Sequence, residues 1–277
     1  MKPAPFAYHA VETVEEAVAT LAELGEDARV LAGGQSLVPM LNLRLARPSA
    51  LVDVGRVASL SGISANGALR LGATTRQADA LRSAQVVERA PLLTEALRHV
   101  GHPATRSRGT IGGSIAHADP AAELPAVLLA LDGQVIARSG EGERTIPAAS
   151  LFLGPFTTAL AGGELLTELR LPDPPAGARH GFAEIARRRG DFALAGAAVV
   201  IAPGYARVAL FAVAPAAFRA EAAERALAQG AGAEVAAELA AAAAEPAGDE
   251  HATAAYRAGA ARVATLRALL AAGVARE

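Results

Sequence analysis

The chain has 277 residues, of which 52% are hydrophobic and 19% are charged, so it is long enough and apolar enough to fold around a large core. The formal net charge of −2 gives no reason to expect nucleic acid or an anionic membrane as a partner. Because cysteine is absent, this sequence cannot provide a disulfide, a cysteine-ligated iron–sulfur cluster or a thiolate nucleophile.

The first half of the chain predicts helices that alternate with short strands. Residues 13–24 place apolar side chains on one helical face, and Glu16 follows Thr13 at the spacing of a capping box. Further along, strands are predicted at 29–32, 51–54 and 69–73, and helices are predicted to start at Arg76 and Ala90.

The second half predicts a hairpin, a linker and a separate unit of strands and helices. Residues 134–138 and 143–146 have the pattern of paired strands, and a strand at 165–171 ends at a proline-rich segment, 172–175. Three strand-like runs follow and precede alanine-rich helices, at 182–188, 194–202 and 206–213. Strands followed by segregated helices are typical of an α+β domain, so a domain boundary is predicted near residue 177.

Two glycine doublets lie within stretches of small residues, Ala32-Gly33-Gly34-Gln35-Ser36-Leu37 and Thr110-Ile111-Gly112-Gly113-Ser114. Glycine lets a ligand lie against the main chain, and consecutive small residues expose N–H donors that can hold a phosphate. Two such loops predict a nucleotide cofactor whose diphosphate is held from two sides. On this interpretation Gly33→Val or Gly113→Val would abolish binding, because a Cβ would enter the space that the diphosphate needs.

Other interpretations of these residues are weaker. No Gly-x-Gly-x-x-Gly separates a strand from a helix near the start, and no glycine loop precedes a lysine, which argues against Rossmann and Walker sites. Gly-x-Ser-x-Gly is absent around Ser36 and Ser114, which argues against a serine hydrolase. His117, Asp119 and Glu123 could ligate a metal, but the two carboxylates suit ribose or ribityl hydroxyls better. No metal site and no catalytic residue are predicted.

The sequence further predicts a soluble, cytoplasmic protein. No apolar signal sequence follows the first five residues. The nearly uncharged stretch 192–218 is interrupted by Pro203-Gly204, so it predicts a hairpin and not a membrane-spanning helix.

Several motifs together resemble the FAD-binding medium subunits of molybdenum hydroxylases, the family of aerobic carbon monoxide dehydrogenase and xanthine dehydrogenase flavoproteins. The two glycine stretches carry most of the resemblance, which extends over residues 32–40 and 109–114. Shorter matches occur along nearly the whole chain, at 51–54, 71–73, 152–156, 190–193, 219–222 and 255–257.

This resemblance implies an α+β fold. The split, two-subdomain FAD-binding fold of the vanillyl-alcohol-oxidase (PCMH) type would occupy residues 1–177, with subdomains at about 1–56 and 57–177. A C-terminal α+β domain, with a small antiparallel sheet and helices, would occupy residues 178–277. The flavin would lie between the two subdomains.

The resemblance also implies a set of FAD-binding residues. The two glycine stretches would surround the diphosphate, Asp119 and Glu123 would make polar contacts, and either Leu165 or Leu166 would lie near the isoalloxazine ring. Phe192 takes a position that is often another aromatic residue. The predicted site consists of Arg29, Ala32, Gly33, Gly34, Gln35, Ser36, Leu37, Thr110, Ile111, Gly112, Gly113, Ser114, Asp119, Glu123, Leu165 and Leu166.

The function that the resemblance implies is that of an oxidoreductase subunit. The chain would be the FAD-binding electron-transfer subunit of a heteromeric molybdenum hydroxylase, which passes electrons to a quinone, NAD or oxygen. Its partners would be a molybdopterin-binding large subunit and an iron–sulfur small subunit, in a hetero-oligomer such as a dimer of heterotrimers. A stand-alone flavin-binding module and a flavoprotein oxidase with its own substrate are the alternatives.

Overall fold

The computed structural model describes residues 2–277, which form α-helices and β-strands along the whole chain. The helices are α1 (Val14–Leu24), α2 (Leu37–Asn42), α3 (Gln77–Arg82), α4 (Ala84–Arg89), α5 (Pro91–Leu97), α6 (Pro103–Arg108), α7 (Ile111–His117), α8 (Glu123–Ala130), α9 (Glu221–Ala228), α10 (Ala233–Ala242) and α11 (Ala254–Ala271). The strands are β1 (Ala7–Ala10), β2 (Ala28–Leu31), β3 (Ala50–Asp53), β4 (Ile63–Ser64), β5 (Leu69–Gly72), β6 (Gln134–Ser139), β7 (Gly142–Pro147), β8 (Phe152–Gly154), β9 (Thr157–Thr158), β10 (Leu165–Leu171), β11 (Arg179–Ala186), β12 (Ala193–Ala202), β13 (Tyr205–Phe211) and β14 (Phe218–Arg219).

The N-terminal part is a small parallel sheet with the strand order β1-β3-β2. Helix α1 buries its apolar face in the same core as this sheet. Thr13 caps the helix, since its side chain accepts a hydrogen bond from the Glu16 N–H at 3.1 Å and the Glu16 carboxylate accepts from the Thr13 N–H at 3.3 Å. The predicted helix and capping box are therefore confirmed.

The middle of the chain forms a five-stranded antiparallel sheet with the order β4-β5-β10-β6-β7. Helices α5, α7 and α8 pack in its core. Every residue from Leu124 to Ala130 in α8 is buried, because this helix also lies against the C-terminal sheet. Helix α8 is therefore apolar on all sides.

The C-terminal part is a four-stranded antiparallel sheet, β11-β12-β13-β14, with α9 and α11 against it and α10 packed on these two helices. Its core consists largely of alanine, which lets α11 lie close to the sheet. The closest approach is at Gly181, where a Cβ would lie less than 3.0 Å from the Ala268 carbonyl oxygen. The α+β fold class predicted from the sequence is confirmed.

Asp132, two residues after the end of α8, joins the middle and C-terminal sheets through its hydrogen bonds. Its carboxylate accepts hydrogen bonds from the Tyr205 hydroxyl at 2.8 Å and from the Arg207 guanidinium at 2.8 and 2.9 Å. Arg219 adds a contact at 3.3 Å. The boundary predicted near residue 177 falls in the segment between β10 and β11, and the division into 1–177 and 178–277 stays a prediction.

The structure differs from the sequence-based prediction at several elements, three of which are the second glycine stretch, the strand predicted at 182–188 and β1. The second glycine stretch is not a loop, because Ile111 to His117 are helical and Thr110 is the N-cap. The strand predicted at 182–188 runs over 179–186 and gives way to a loop. The short edge strand β1 was not predicted, since its four residues are mostly exposed and carry no alternating apolar pattern.

Candidate functional site

A cleft of about 880 Å³ lies where the N-terminal, middle and C-terminal parts of the chain meet. Its walls are the segment after β2, the exposed side of α7, the turn before α8 and the loop between β11 and β12. The volume falls in the upper part of the range of small-molecule and cofactor sites, roughly 300–1,000 Å³. This is the candidate functional site.

The first glycine stretch forms one wall and has the geometry of an anion site. Gly34 has a φ of +70°, which favours glycine, and α2 begins directly after the stretch, at Leu37. The backbone N–H groups of residues 33–37 donate to no acceptor within residues 2–277. A row of free N–H groups at a turn is the arrangement that binds phosphate oxygens.

The second glycine stretch forms another wall, but its N–H groups are already used. Ile111 donates to the Thr75 carbonyl at 3.0 Å, Gly112 to the Ala73 carbonyl at 2.9 Å, and Gly113 to the Thr110 hydroxyl at 3.1 Å. These bonds fix α7 against the end of β5. The stretch therefore lines the cleft with small residues but has few free N–H donors.

The space around the glycines shows what a Cβ at each position would meet within the protein. A Cβ at Gly33 would lie less than 3.0 Å from the Arg108 carbonyl oxygen and 2.9 Å from Gly109 Cα. At Gly113 it would lie 2.5 Å from the Thr110 hydroxyl oxygen. At Gly33 the Cβ would therefore meet the Arg108–Gly109 backbone, which gives a packing reason for this glycine. The expectation that a Cβ would enter the diphosphate space stays a prediction.

Two carboxylic acids line the inner part of the cleft, and their environments differ. Asp119 accepts a hydrogen bond from the Ala121 N–H at 2.8 Å. Burial raises the pKa of Glu123 to about 8, and the nearby carboxylates of Glu184 and Asp119 also raise it. Glu184 is itself buried and has its pKa raised to about 7. The raised pKa favours the protonated form of Glu123 near neutral pH, and a protonated carboxyl group can donate a hydrogen bond.

The C-terminal part contributes Gly190, Asp191 and Phe192 to the cleft. Gly190 has a φ of +88°, and a Cβ there would meet the His102 ring at 2.6 Å, so the loop is pressed against the turn that precedes α6. The Phe192 ring is 74% exposed. An exposed aromatic ring at the edge of a cleft can pack against a flat ligand.

The structure brings most of the predicted residues together at this cleft. They are Arg29, Ala32, Gly33, Gly34, Gln35, Ser36, Leu37, Thr110, Gly113, Ser114, Asp119 and Glu123. The guanidinium of Arg29 is turned back toward its own chain, since it donates to the carbonyls of Glu26 at 2.5 Å and Ala28 at 2.8 Å.

Four predicted residues do not line the cleft. The side chains of Ile111, Leu165 and Leu166 are at most 5% exposed and belong to the hydrophobic cores, and Gly112 packs against Ala73. The expected approach of Leu165 or Leu166 to the flavin ring would have to use backbone atoms, because both leucine side chains face the cores. These four assignments stay predictions.

Several cleft residues lie outside the predicted set. Gln77 is 4% exposed, and its side-chain oxygen has no hydrogen-bond donor in the described part of the chain. His117 and Phe156 place their rings 5.1 Å apart, and burial lowers the pKa of His117. These residues come from separate segments, so no local sequence pattern could identify them. Others are Met40, Leu45, Ala46, Arg47, Pro48, Val100, Gly101, Thr105, Gly109, Ala116 and Ala122.

Comparison with known families shows which cofactor the chain binds. Residues 4–174 match the family model of the FAD binding domain in molybdopterin dehydrogenase. Residues 180–272 match the model of the CO dehydrogenase flavoprotein C-terminal domain. The chain belongs to the molybdenum hydroxylase flavoprotein family. It is a FAD-binding oxidoreductase subunit, and the predicted cofactor and PCMH-type fold are confirmed.

Relatives of this flavoprotein align with most of the chain. The alpha subunit of the 6-hydroxypseudooxynicotine dehydrogenase complex of Paenarthrobacter nicotinovorans is 48% identical over 73% of this chain and 68% of its own length. The carbon monoxide dehydrogenase medium chain of Hydrogenophaga pseudoflava is 42% identical over 80% of this chain and 79% of its own length.

Solved structures agree over almost the full length. Carbon monoxide dehydrogenase from Hydrogenophaga pseudoflava superposes with a TM-score of 0.94 at 42% identity, and covers 99% of both chains. Quinoline 2-oxidoreductase from Pseudomonas putida 86 superposes with a TM-score of 0.91 at 38% identity, again with 99% of both chains covered.

The residues of the cleft fit FAD. The free N–H groups of 33–37 suit a diphosphate, and the unpartnered buried oxygen of Gln77 needs a donor such as a hydroxyl. Asp119 can accept and Glu123 can donate hydrogen bonds to ribityl or ribose hydroxyls. Within residues 2–277, no helix combines the length and the apolar character needed to cross a bilayer, and the cellular location stays a prediction.

Proposed function

We propose that this flavoprotein transfers electrons within a heteromeric molybdenum hydroxylase, from the iron–sulfur clusters of a partner subunit to an external acceptor. The observation that carries the proposal is the nearly complete structural agreement with proteins that are named for chemically unrelated molecules, carbon monoxide and quinoline. Because subunits of enzymes named for such different molecules share this fold so closely, the fold supports a role for this subunit in a step that these enzymes have in common. Bound FAD supplies two-electron redox chemistry, which the chain orients and tunes.

In this proposal the first glycine stretch holds the diphosphate. Its N–H groups need no cationic side chain, which agrees with Arg29 being engaged by its own backbone. Helix α7 forms the opposite wall, where the absence of side-chain bulk at Gly113 leaves room for the cofactor beside Ser114.

The acidic end of the cleft would hold the hydroxyl-bearing part of FAD. Protonated Glu123 would donate and Asp119 would accept, so a chain of hydroxyls could be bound without an uncompensated buried charge. Phe192 would cover an exposed face of the ring system and restrict the access of water.

The partners that we propose are a molybdopterin-binding large subunit and an iron–sulfur small subunit, in a dimer of heterotrimers. The relatives support this, since they are named as a subunit of a complex and as a medium chain. This chain has no cysteine with which to bind an iron–sulfur cluster, so one-electron carriers of that kind would have to come from another chain.

The test is to express the chain alone and together with its neighbouring coding sequences. The isolated chain should retain FAD in a 1:1 ratio, and its flavin should stay oxidised when any substrate of the assembled enzyme is added. The assembled enzyme should reduce the same flavin in rapid mixing. Reduction in the isolated chain by an organic substrate, with oxygen consumed, would favour the oxidase alternative, and failure to assemble with any partner would favour the stand-alone module.

A further inference from the structure

Arg257, on the C-terminal helix α11, is a buried cation far along the chain from the cleft-forming glycines. It is 8% exposed. Of the three guanidinium nitrogens, Nη2 donates to the Asp249 carboxylate at 2.6 Å and Nη1 donates to the carbonyl of Leu194 at 3.0 Å, while the buried Nε has no acceptor within residues 2–277. Nη1 also reaches the carbonyl of Ala212 at 3.4 Å. Because burial of a charge is unfavourable unless it is paired and hydrogen-bonded, these carbonyls and Asp249 must be held in place around the guanidinium.

The Leu194 carbonyl connects Arg257 to one wall of the cleft. Leu194 lies in β12, two residues after Phe192, and the intervening residue, Ala193, begins the strand. Asp191 and Phe192 line the cleft. A shift of the Leu194 carbonyl would therefore move the start of β12 and the aromatic residue next to it.

The Ala212 carbonyl connects Arg257 to a second wall. Ala212 has a φ of +63°, a left-handed conformation that alanine avoids unless its surroundings hold it. Its N–H donates to the Pro120 carbonyl at 2.7 Å. Pro120 lies in the turn that joins Asp119 to Glu123, the two acids of the cleft.

We infer that Arg257 is a positioning residue for the flavin cleft. One guanidinium holds two backbone carbonyls, that of Leu194 beside Phe192 and that of Ala212, whose own N–H is bonded to the turn between Asp119 and Glu123. It thereby sets the distance between two walls that come from different parts of the chain. Asp249 orients the guanidinium, and its other carboxylate oxygen is itself fixed by the N–H groups of His251 at 2.8 Å and Ala252 at 3.0 Å. The inference rests on the proposed binding of FAD by these walls.

The test compares Arg257→Lys with Arg262→Lys in the full-length chain. Lysine keeps the charge but lacks the planar fork that reaches carboxylate and carbonyls together. Arg262 lies on the same helix and pairs with Glu238 at the surface, so Arg262→Lys is the matched control. We expect Arg257→Lys to raise the FAD dissociation constant about tenfold, as for loss of one charged hydrogen bond, and to alter the visible circular dichroism of the flavin. Arg262→Lys should change neither.

A second measurement needs no cofactor. Amide hydrogen exchange of the apo protein should be faster at 119–123 and 190–194 in Arg257→Lys, and unchanged in α10. Asp249→Asn, which leaves the arginine in place, should produce the same changes with a smaller effect on affinity, about threefold.

The inference is overturned if Arg257→Lys binds FAD within twofold of the wild type with unchanged flavin dichroism, or if Arg262→Lys weakens binding equally. Faster exchange spread evenly over the C-terminal sheet would overturn it as well, because that pattern indicates general destabilisation. If the wild-type chain binds no FAD, the cleft assignment fails, whereas local exchange changes at the two walls would still support the role of Arg257 in positioning them.

Discussion

Gly33→Ala separates two explanations of why the first glycine doublet is required. If a Cβ occupied the diphosphate space, the variant would fold normally and lose only FAD. The structure instead places that Cβ less than 3.0 Å from the Arg108 carbonyl oxygen and 2.9 Å from Gly109 Cα, both backbone atoms that side-chain rotation cannot move away. Forcing a methyl group into such a contact costs about 1–3 kcal/mol.

The expected result is therefore a loss of stability in the absence of cofactor. An overpacking penalty of about 2 kcal/mol corresponds to a decrease of roughly 4–8 °C in Tm for a chain of this size. Gly140→Ala is the matched control, because a Cβ there meets no atom within 4 Å and Gly140 is not among the residues of positive φ. Its Tm should stay within about 2 °C of the wild type.

The assay is thermal unfolding of the apo protein, followed by FAD titration by flavin fluorescence at a temperature where every variant is folded. Gly33→Ala should lower both the apo Tm and the affinity, since displacement of the Arg108–Gly109 backbone disturbs the cleft wall. An apo Tm equal to that of Gly140→Ala, combined with lost FAD binding, would refute the packing argument and restore the diphosphate explanation.

Three further predictions concern the acid, the domain junction and the aromatic residue. In the folded state the pKa of Glu123 is raised from its ordinary value of 4.5 to about 8, so its contribution to apo stability is fully present below pH 4.5 and is lost as the pH rises toward 8. Glu123→Gln should therefore flatten the dependence of the Tm on pH between pH 5 and 8. An unchanged slope would contradict this prediction. Asp132→Asn keeps a residue that tolerates a φ of +49° but removes the negative charge that faces Tyr205 and Arg207. It should lower the free energy of unfolding, measured by denaturant titration, by about 1–2 kcal/mol. The control is Asp79→Asn, which removes one partner of an exposed ion pair and should lower the free energy of unfolding by less than about 0.5 kcal/mol. Phe192→Ala should leave the apo Tm unchanged, since Phe192 is 74% exposed. It should nevertheless weaken FAD binding by up to about tenfold. If the variant and the wild type bind FAD with equal affinity, Phe192 does not contact the cofactor.

Local signals in the sequence were sufficient for much of the fold. The capping box at Thr13 and Glu16 acts within one turn, so the start of α1 could be predicted from four residues. Strands β6, β7 and β10 were predicted because their alternation and the proline-rich segment after Leu171 are also local.

The second glycine stretch shows where local reasoning stopped. Glycine disfavours a helix by its own propensity, yet Thr110 caps α7, and the carbonyls of Ala73 and Thr75 take its first N–H groups. Those carbonyls belong to the end of β5 and the residues after it, more than thirty positions earlier in the chain. The segment that was predicted to be a phosphate-binding loop is therefore a helix, because contacts with distant residues stabilise it.

By itself, the sequence determined the family and the cofactor, since the motifs that carry both consist of residues that are contiguous in the chain. Only the tertiary structure decided how the cleft is built: which glycine stretch keeps free N–H groups, that a Cβ at Gly33 would meet the Arg108–Gly109 backbone, that burial raises the pKa of Glu123, and that Arg257 binds the carbonyls of Leu194 and Ala212. The physical reason is the range of the forces involved. Propensity and capping act within a few residues, whereas excluded volume and desolvation depend on which distant segments meet.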